Sequence, residues 1–243
     1  DKVASIFPFE YDVYKEAGAN VEFVGHPLVD IVKPKMTEAE ANTFAGKQDD
    51  RKLILIMPGS RLMEIEKMLP TLLEAAKLIK KQLPEVDFVM PRAGSIPLQM
   101  LEEKIKASGI SVKITEGNNY DLFSVADLAL ATSGTVTLEA ALCGLGSVIV
   151  YRTNPLTYFI AKLVVNIPHI GLPNIVAGKS VLPELIQDDF TPEKVAKEAM
   201  SLLERERNAK MKEDLAYVKE RLGKPGAVGR VAELVLKIAG EKK

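Results

Sequence analysis

The sequence predicts an α/β fold, a Rossmann-like parallel sheet with helices on both faces, and three observations point to it. From Lys52 onward, short apolar runs alternate with longer stretches of helical periodicity, the pattern of repeated βαβ units. The runs are rich in β-branched and apolar residues and stop at Pro, Gly or Ser, as strands do. With 243 residues, 47% of them apolar and 27% charged, the chain is long and apolar enough for a real core.

The elements follow in order. Val3 to Phe7 reads as a strand and Tyr11 to Ala17 as a helix, neither with an evident partner, so this region reads as the end of an upstream domain. Thr37 to Asp50 is polar and charged and reads as a surface connection. The strands of the main sheet are expected at Leu53–Met57, Val86–Met90, Ser111–Thr115, Leu128–Ala131 and Ser147–Val150. Leu69, Leu72, Leu73, Ala76 and Ile79 put an apolar face on the first crossover helix, with Pro70 as its start or a kink. Pro97 to Ala107 makes the second crossover, and Thr135 to Leu142, closed by Gly144, joins the last two strands. A helical C-terminal tail follows. Thr191 and Pro192 form an N-cap and first-turn pair, charged helical sequence runs to Leu222, and a last helix spans Ala227 to Ala239.

Composition excludes several functions. Lys and Arg number 32 against 33 Asp and Glu, a net charge of −1, so the field that general nucleic-acid binding needs is missing. The single cysteine, Cys143, forms no internal disulfide, and no Cys or His spacing fits a zinc site, which favours a reducing compartment. The longest uncharged stretch, Leu163 to Gly178, is broken by Pro168, Gly171, Pro173 and Gly178, too interrupted for a membrane span of about 20 apolar residues. The opening DKVASIFPFE has neither the basic nor the apolar region of a signal peptide and begins at Asp1, so the chain is expected to be part of a longer protein.

Two loops carry the chemistry. Gly59, Ser60 and Arg61 follow the first core strand and precede a helix, where open α/β sheets bind ligands. Gly59 allows close backbone approach, Ser60 offers a hydroxyl and an amide, and Arg61 offers a planar fork suited to phosphate oxygens. The same residues also fit an ordinary turn with a solvated arginine. Ser133, Gly134 and Thr135 repeat the arrangement after Leu128–Ala131, their amides opening the next helix toward an anion. Glu139, one turn on, either accepts the hydroxyls of a ribose or complements the helix dipole.

Other features carry less. Gly178-Lys179-Ser180 resembles the end of a Walker loop, but Pro173 stands where its first glycine belongs. His26 and His169 have no triad or metal spacing and read as structural. With no Asp-x-Asp, the site is expected to hold no metal, its charge being met by Arg and helix N-termini. After Asn154 and Pro155, an apolar helix to Ile167 reads as core. A sharper alternative is contact with a membrane surface through Arg152, Phe159, Lys162 and Leu163.

Six segments together resemble the lipid-A-disaccharide synthase family. They are IFPFE (Ile6–Glu10), FVGHPLVD (Phe23–Asp30), MPGSR with EIE (Met57–Glu66), TSGTVTLE (Thr132–Glu139), YRTNPLTY (Tyr151–Tyr158) and LPNIVAG (Leu172–Gly178). The match spans nearly the whole chain in order but only the C-terminal part of that family's length. The resemblance implies a B-type glycosyltransferase, in which two Rossmann-like domains face each other and the C-terminal one holds the nucleotide sugar. Residues 1–45 would then be the end of the N-terminal acceptor domain and the interdomain linker, 46–190 the UDP-sugar donor-binding domain, and 191–243 the helical C-terminal segment.

The reaction so implied is an inverting, metal-independent transfer of 2,3-diacylglucosamine from UDP to the 6-hydroxyl of 2,3-diacylglucosamine 1-phosphate, with no cofactor. Arg61 and Asn174 match family positions tied to activity. Ser133 to Thr135 and Glu139 match the diphosphate and ribose pocket, and Glu184 and Gln187, in LPELIQ, match another donor-side segment. The family's proposed catalytic Asp lies in the N-terminal half, so no general base is assigned here. The implied partners are the UDP-sugar, the acylated glucosamine phosphate, the inner face of the inner membrane as a peripheral contact from the cytoplasm, and a second copy of the chain as a homodimer. A non-catalytic nucleotide-sugar binding module and a B-type transferase using UDP-N-acetylglucosamine stay open as alternatives.

Overall fold

The computed structural model describes residues 2–48, 50–154, 158 and 168–241. The expected sheet is present. Strands β3 (Lys52–Met57), β4 (Val86–Arg92), β5 (Lys113–Glu116), β6 (Leu128–Thr132), β7 (Ser147–Tyr151) and β8 (Glu184–Ile186) form one all-parallel sheet in the order β5-β4-β3-β6-β7-β8. β5 begins two residues later than the sequence predicts, and β8 is an edge strand too short to stand out by periodicity.

β3 shows why both faces are covered: Leu53 to Ile56 are wholly buried and Met57 nearly so, and alternate side chains point to opposite faces. Ile54 and Ile56 pack under α4 (Leu62–Gln82), α5 (Leu98–Ser108), α9 (Pro192–Leu203) and α10 (Arg205–Arg221). Leu53, Leu55 and Met57 pack under α3 (Glu38–Ala45) and α6 (Asn119–Val125). Between β6 and β7, α7 (Thr135–Leu142) sends Leu138 and Ala141 to the first core and Ala140 to the second.

Three expectations change. Of the two roles expected for Pro70, the helix start is not taken: α4 begins at Leu62 and runs through Pro70, which lies on the exposed side, where its missing N–H leaves a carbonyl facing water. Thr37 to Asp50 is not a bare surface connection. Thr37 and Glu40 form a reciprocal capping box, with Thr37 N donating to Glu40 Oε2 at 2.8 Å and Glu40 N to Thr37 Oγ1 at 3.3 Å, and the helix they open buries Ala41 and Ala45. Buried Asp121 fixes the chain just before it by accepting from Lys35 N and Met36 N at 2.6 and 2.7 Å. The charged tail is two helices, broken at Glu204, whose extended backbone ends α9 and caps α10.

The first residues find partners. β1 (Val3–Ser5) pairs in parallel with β2 (Val21–Phe23) across α1 (Pro8–Glu16), which starts on its proline. FVGHPLVD then leads into the short helix α2 (Leu28–Ile31) and clasps the start of α11 (Ala227–Glu241). His26 N donates to the Leu222 carbonyl at 2.9 Å, Arg230 Nε donates to the Val24 carbonyl at 2.8 Å, and Asp30 accepts from the Gly226 and Ala227 amides. Gly25 is left-handed, φ +80°, and a Cβ there would sit 2.8 Å from an Arg230 nitrogen. His26 is structural, as expected: its Nδ1 accepts from Leu28 N, and burial holds its pKa below the ordinary value.

Asp127, just before β6, ties the amino edge of the sheet. Its carboxylate takes Lys52 Nζ at 2.8 Å, Leu53 N at 2.9 Å and Lys47 Nζ at 3.3 Å. Burial pushes its pKa up, but these hydrogen bonds and charges outweigh burial and leave it below the ordinary aspartate value. A depressed pKa adds stability that is complete above the unfolded value of about 3.9 and is lost as pH falls through the folded one. In urea unfolding, Asp127→Asn is therefore expected to be less stable than the parent chain at pH 7, with the gap closing below pH about 4.

Candidate functional site

The strand order locates the site. The chain steps from β3 outward to β4 and β5, then returns to lay β6 on the other side of β3 before continuing to β7 and β8. The connections that leave β3 and β6 therefore diverge, and a crevice opens between them at the carboxyl ends of the strands. Met57 pairs with Ala131 in register, so the two loops singled out in the sequence leave the sheet side by side.

In the first loop, Gly59 takes φ +120° and Arg61 is the N-cap of α4. Arg61 reaches outward with 80% of its side chain exposed, and one guanidinium nitrogen donates to Glu64 Oε1 at 2.7 Å. Glu64 also accepts from Ser60 N at 2.8 Å and Arg61 N at 3.3 Å. The Ser60 carbonyl takes the Ser95 hydroxyl at 2.8 Å, which ties this loop to the turn after β4. Glu64 was given no role from sequence; its place three residues after an N-cap is the signal that could have found it.

In the second loop, Gly134 is the N-cap of α7 in extended conformation, and Gly134 and Thr135 are exposed at the strand-end edge. The helix starts where β6 ends, so its first amides point toward the crevice. Ser133 is partly committed: its Oγ donates to the Ile170 carbonyl at 3.0 Å. Glu139 is half-buried and accepts from the Tyr120 hydroxyl at 3.2 Å. Burial first, then Glu139, pushes the Tyr120 pKa up, so this hydroxyl remains a donor. No sequence spacing links Tyr120 to Glu139, which lie 19 residues apart and meet through the fold.

The remaining candidates form a framework beneath the second loop. Asn174, in α8 (Leu172–Ala177), is wholly buried, and its amide is consumed inside the fold. Its Oδ1 accepts from Val181 N and Leu182 N at 2.8 Å, and its Nδ2 donates to the Leu182 carbonyl at 2.8 Å and to Glu184 Oε1 at 2.6 Å. Glu184 in turn accepts from Ile170 N at 2.9 Å and Gly171 N at 3.0 Å, which sets the turn that holds Ser133; His169 Nδ1 lies 3.8 Å from it. Gln187 holds the exit of β7, accepting from Thr153 N at 2.6 Å and donating to the Thr153 carbonyl at 3.3 Å. Asn174 and Gln187 thus hold the loops, and the Asn174 amide is fully used in doing so.

Arg152 is engaged within the fold. Expected beside a membrane-facing helix, its guanidinium turns inward, donating to the Phe190 and Gln187 carbonyls and stacking 4.8 Å from the Phe190 ring. Phe159, Lys162 and Leu163 lie outside the described residues. Lys179 follows helix α8 rather than a strand, so Gly178-Lys179-Ser180 is not a Walker loop, and its ammonium pairs with Asp214 at 2.7 Å. Among the described residues no group of three or more His, Cys, Asp or Glu is placed to hold a metal ion. A cavity of about 780 Å³ at the opposite, amino edge of the sheet holds Cys143, whose thiol burial pushes up to about 11 and so keeps unreactive.

Fold and site together define an open, doubly wound α/β unit with its candidate loops at the reversal of a parallel sheet, the architecture of B-type glycosyltransferase halves. The chain belongs to the lipid-A-disaccharide synthetase family, which it matches over residues 1–237. It is 42% identical over its whole length to lipid-A-disaccharide synthase of Geobacter sulfurreducens, and 43% identical over 97% of its length to that of Trichlorobacter lovleyi. It spans 63% and 62% of those relatives. Among solved structures, UDP-GlcNAc 2-epimerase of Neisseria meningitidis bound to UDP-GlcNAc is similar over 96% of this chain and 60% of its own (TM-score 0.64, 17% identity). WaaG, a glycosyltransferase involved in lipopolysaccharide biosynthesis, is similar over 89% of this chain and 57% of its own (TM-score 0.56, 16% identity).

The framework makes a testable demand. Asn174→Ala leaves the buried Val181 and Leu182 amides without an acceptor, at about 1 to 3 kcal/mol each. The expected result is a loss of about 2 to 6 kcal/mol in urea unfolding; an unchanged midpoint would return Asn174 to the list of substrate contacts.

Proposed function

We propose that this chain supplies the donor-binding half of a lipid-A-disaccharide synthase and that residues 1–45 and the helical C-terminal segment link that half to an acceptor domain. The reaction is the inverting transfer of 2,3-diacylglucosamine from UDP to 2,3-diacylglucosamine 1-phosphate. What carries the reading is the pair of in-register loops after β3 and β6, within a chain of this family.

Breaking the bond between sugar and diphosphate leaves growing negative charge on UDP, and preorganised donors aimed at that charge are usually the largest catalytic contribution. The first amides of α7 supply a fixed dipole for one phosphate, and Arg61, exposed at the rim, supplies the guanidinium for the other. Glu139, held by Tyr120, accepts the ribose hydroxyls. Asn174, Glu184 and Gln187 act through the loops they hold. No cofactor is needed, because the donor sugar arrives activated as a nucleotide ester. The general base and the acceptor belong to the other half.

The acylated substrates place the enzyme at the cytoplasmic face of the inner membrane as a peripheral protein. Among the described residues no helix is long and apolar enough to cross a bilayer, which is compatible with that place.

Calorimetry with UDP tests the donor site. Losing a charge-assisted phosphate contact costs about 1.5 to 3 kcal/mol, so Arg61→Ala is expected to bind UDP at least about tenfold more weakly; equal affinity removes Arg61 from the site. With radiolabelled donor and acceptor, this chain alone is expected to form no disaccharide, and product formation would refute the division of labour between two halves.

A further inference from the structure

The donors assigned to a phosphate at the first loop already hold an anion. Glu64 Oε2 sits on Ser60 N and Arg61 N, and Oε1 sits on the Arg61 guanidinium. An ordinary reciprocal cap needs only the N-cap amide, so the two additional donors are beyond what helix capping requires. Gly59 is shaped around the same carboxylate: a Cβ there would lie 2.4 Å from Glu64 Oε2 and 2.6 Å from Glu64 Cβ. The Glu64 side chain is 18% exposed, whereas Arg61 is 80% exposed and free to swing outward on its long stem.

We propose that Glu64 is a built-in competitor for the nucleotide diphosphate, seated on the β3-loop donors and displaced from them when the diphosphate binds. The proposal rests on the reading of this loop as the phosphate site. A carboxylate and a phosphate cannot share the same N–H groups, and at contact distance their like charges repel. Displacement therefore tests the ligand. A lone phosphate gains too little to evict Glu64, whereas a nucleoside diphosphate gains further contacts at α7 and Glu139. The same competition lowers the affinity for UDP once transfer is over and so helps its release. Glu64 thus sets specificity and release without touching the reacting sugar.

Calorimetry on this chain with UDP, inorganic phosphate and uridine tests it. Glu64→Gln keeps the side-chain length and an oxygen for the Ser60 amide but removes the charge. The expected result is UDP binding about three- to tenfold tighter than in the parent chain, the scale of one like-charge contact screened by bulk water. Inorganic phosphate should become measurable only in the variant, and uridine, which carries no phosphate, should bind both alike. Equal or weaker UDP binding by Glu64→Gln while the parent chain binds UDP would overturn the competitor and make Glu64 a tether for Arg61, leaving the donor site intact. UDP binding by neither chain would overturn both. Should Glu64→Gln fail to fold, Glu64→Asp, which withdraws the carboxylate by one methylene, carries the same comparison with the same expected tightening.

Discussion

The structure depends on a strand that can find no solvent. From Leu53 to Ile56, β3 buries every side chain, at about 1.5 to 3 kcal/mol for each large one, and it hydrogen-bonds to a parallel neighbour on each side. Such a strand needs a helical layer on both faces, and parallel neighbours need crossovers, so the chain must wind outward twice from the same centre. The crevice between the β3 and β6 loops is the seam where the two windings part. The crevice is thus a by-product of covering β3, and its position would be the same whatever residues lined it.

Loops on every side of the sheet are held by carboxylates. Asp30, Glu40, Glu64, Asp121, Asp127 and Glu184 each accept from main-chain amides at a turn or helix start. A loop amide left without a partner is costly, and a carboxylate satisfies two at once with charge-assisted bonds. These staples do for the loops what disulfides or metals do in smaller proteins. They also explain why the segments that look functional in the sequence divide into two kinds. FVGHPLVD and LPELIQ act as fasteners, whereas MPGSR and TSGT leave the sheet side by side at the crevice.

Legibility followed range. The β3 to β7 runs, the Thr191-Pro192 helix start and the two loops could be read because each depends on residues a few positions apart. Helix α3 was legible in principle from Thr37 and Glu40, but the polarity of the segment hid the two alanines it buries. β8 and the Tyr120–Glu139 pair were not legible, since three residues carry no periodicity and the pair is 19 residues apart in sequence. Asn174 and Gln187 read as ligand contacts and Arg152 as a membrane contact because polar side chains in apolar surroundings read alike whether they meet a ligand, a lipid or a backbone; the partners that separate these cases come from elsewhere in the chain.

The clasp between FVGHPLVD and the start of α11 has a mechanical consequence. It joins the β1–β2 unit to the far end of the chain, so two covalent crossings, near residues 32–37 and 222–226, connect that unit to the main sheet. A body on one tether can wander in every direction. A body on two tethers is far more confined, and here Phe7, Phe9, Leu28 and Val29 also pack against the main core, so the beginning of the chain is held to the sheet by contact as well as by connection.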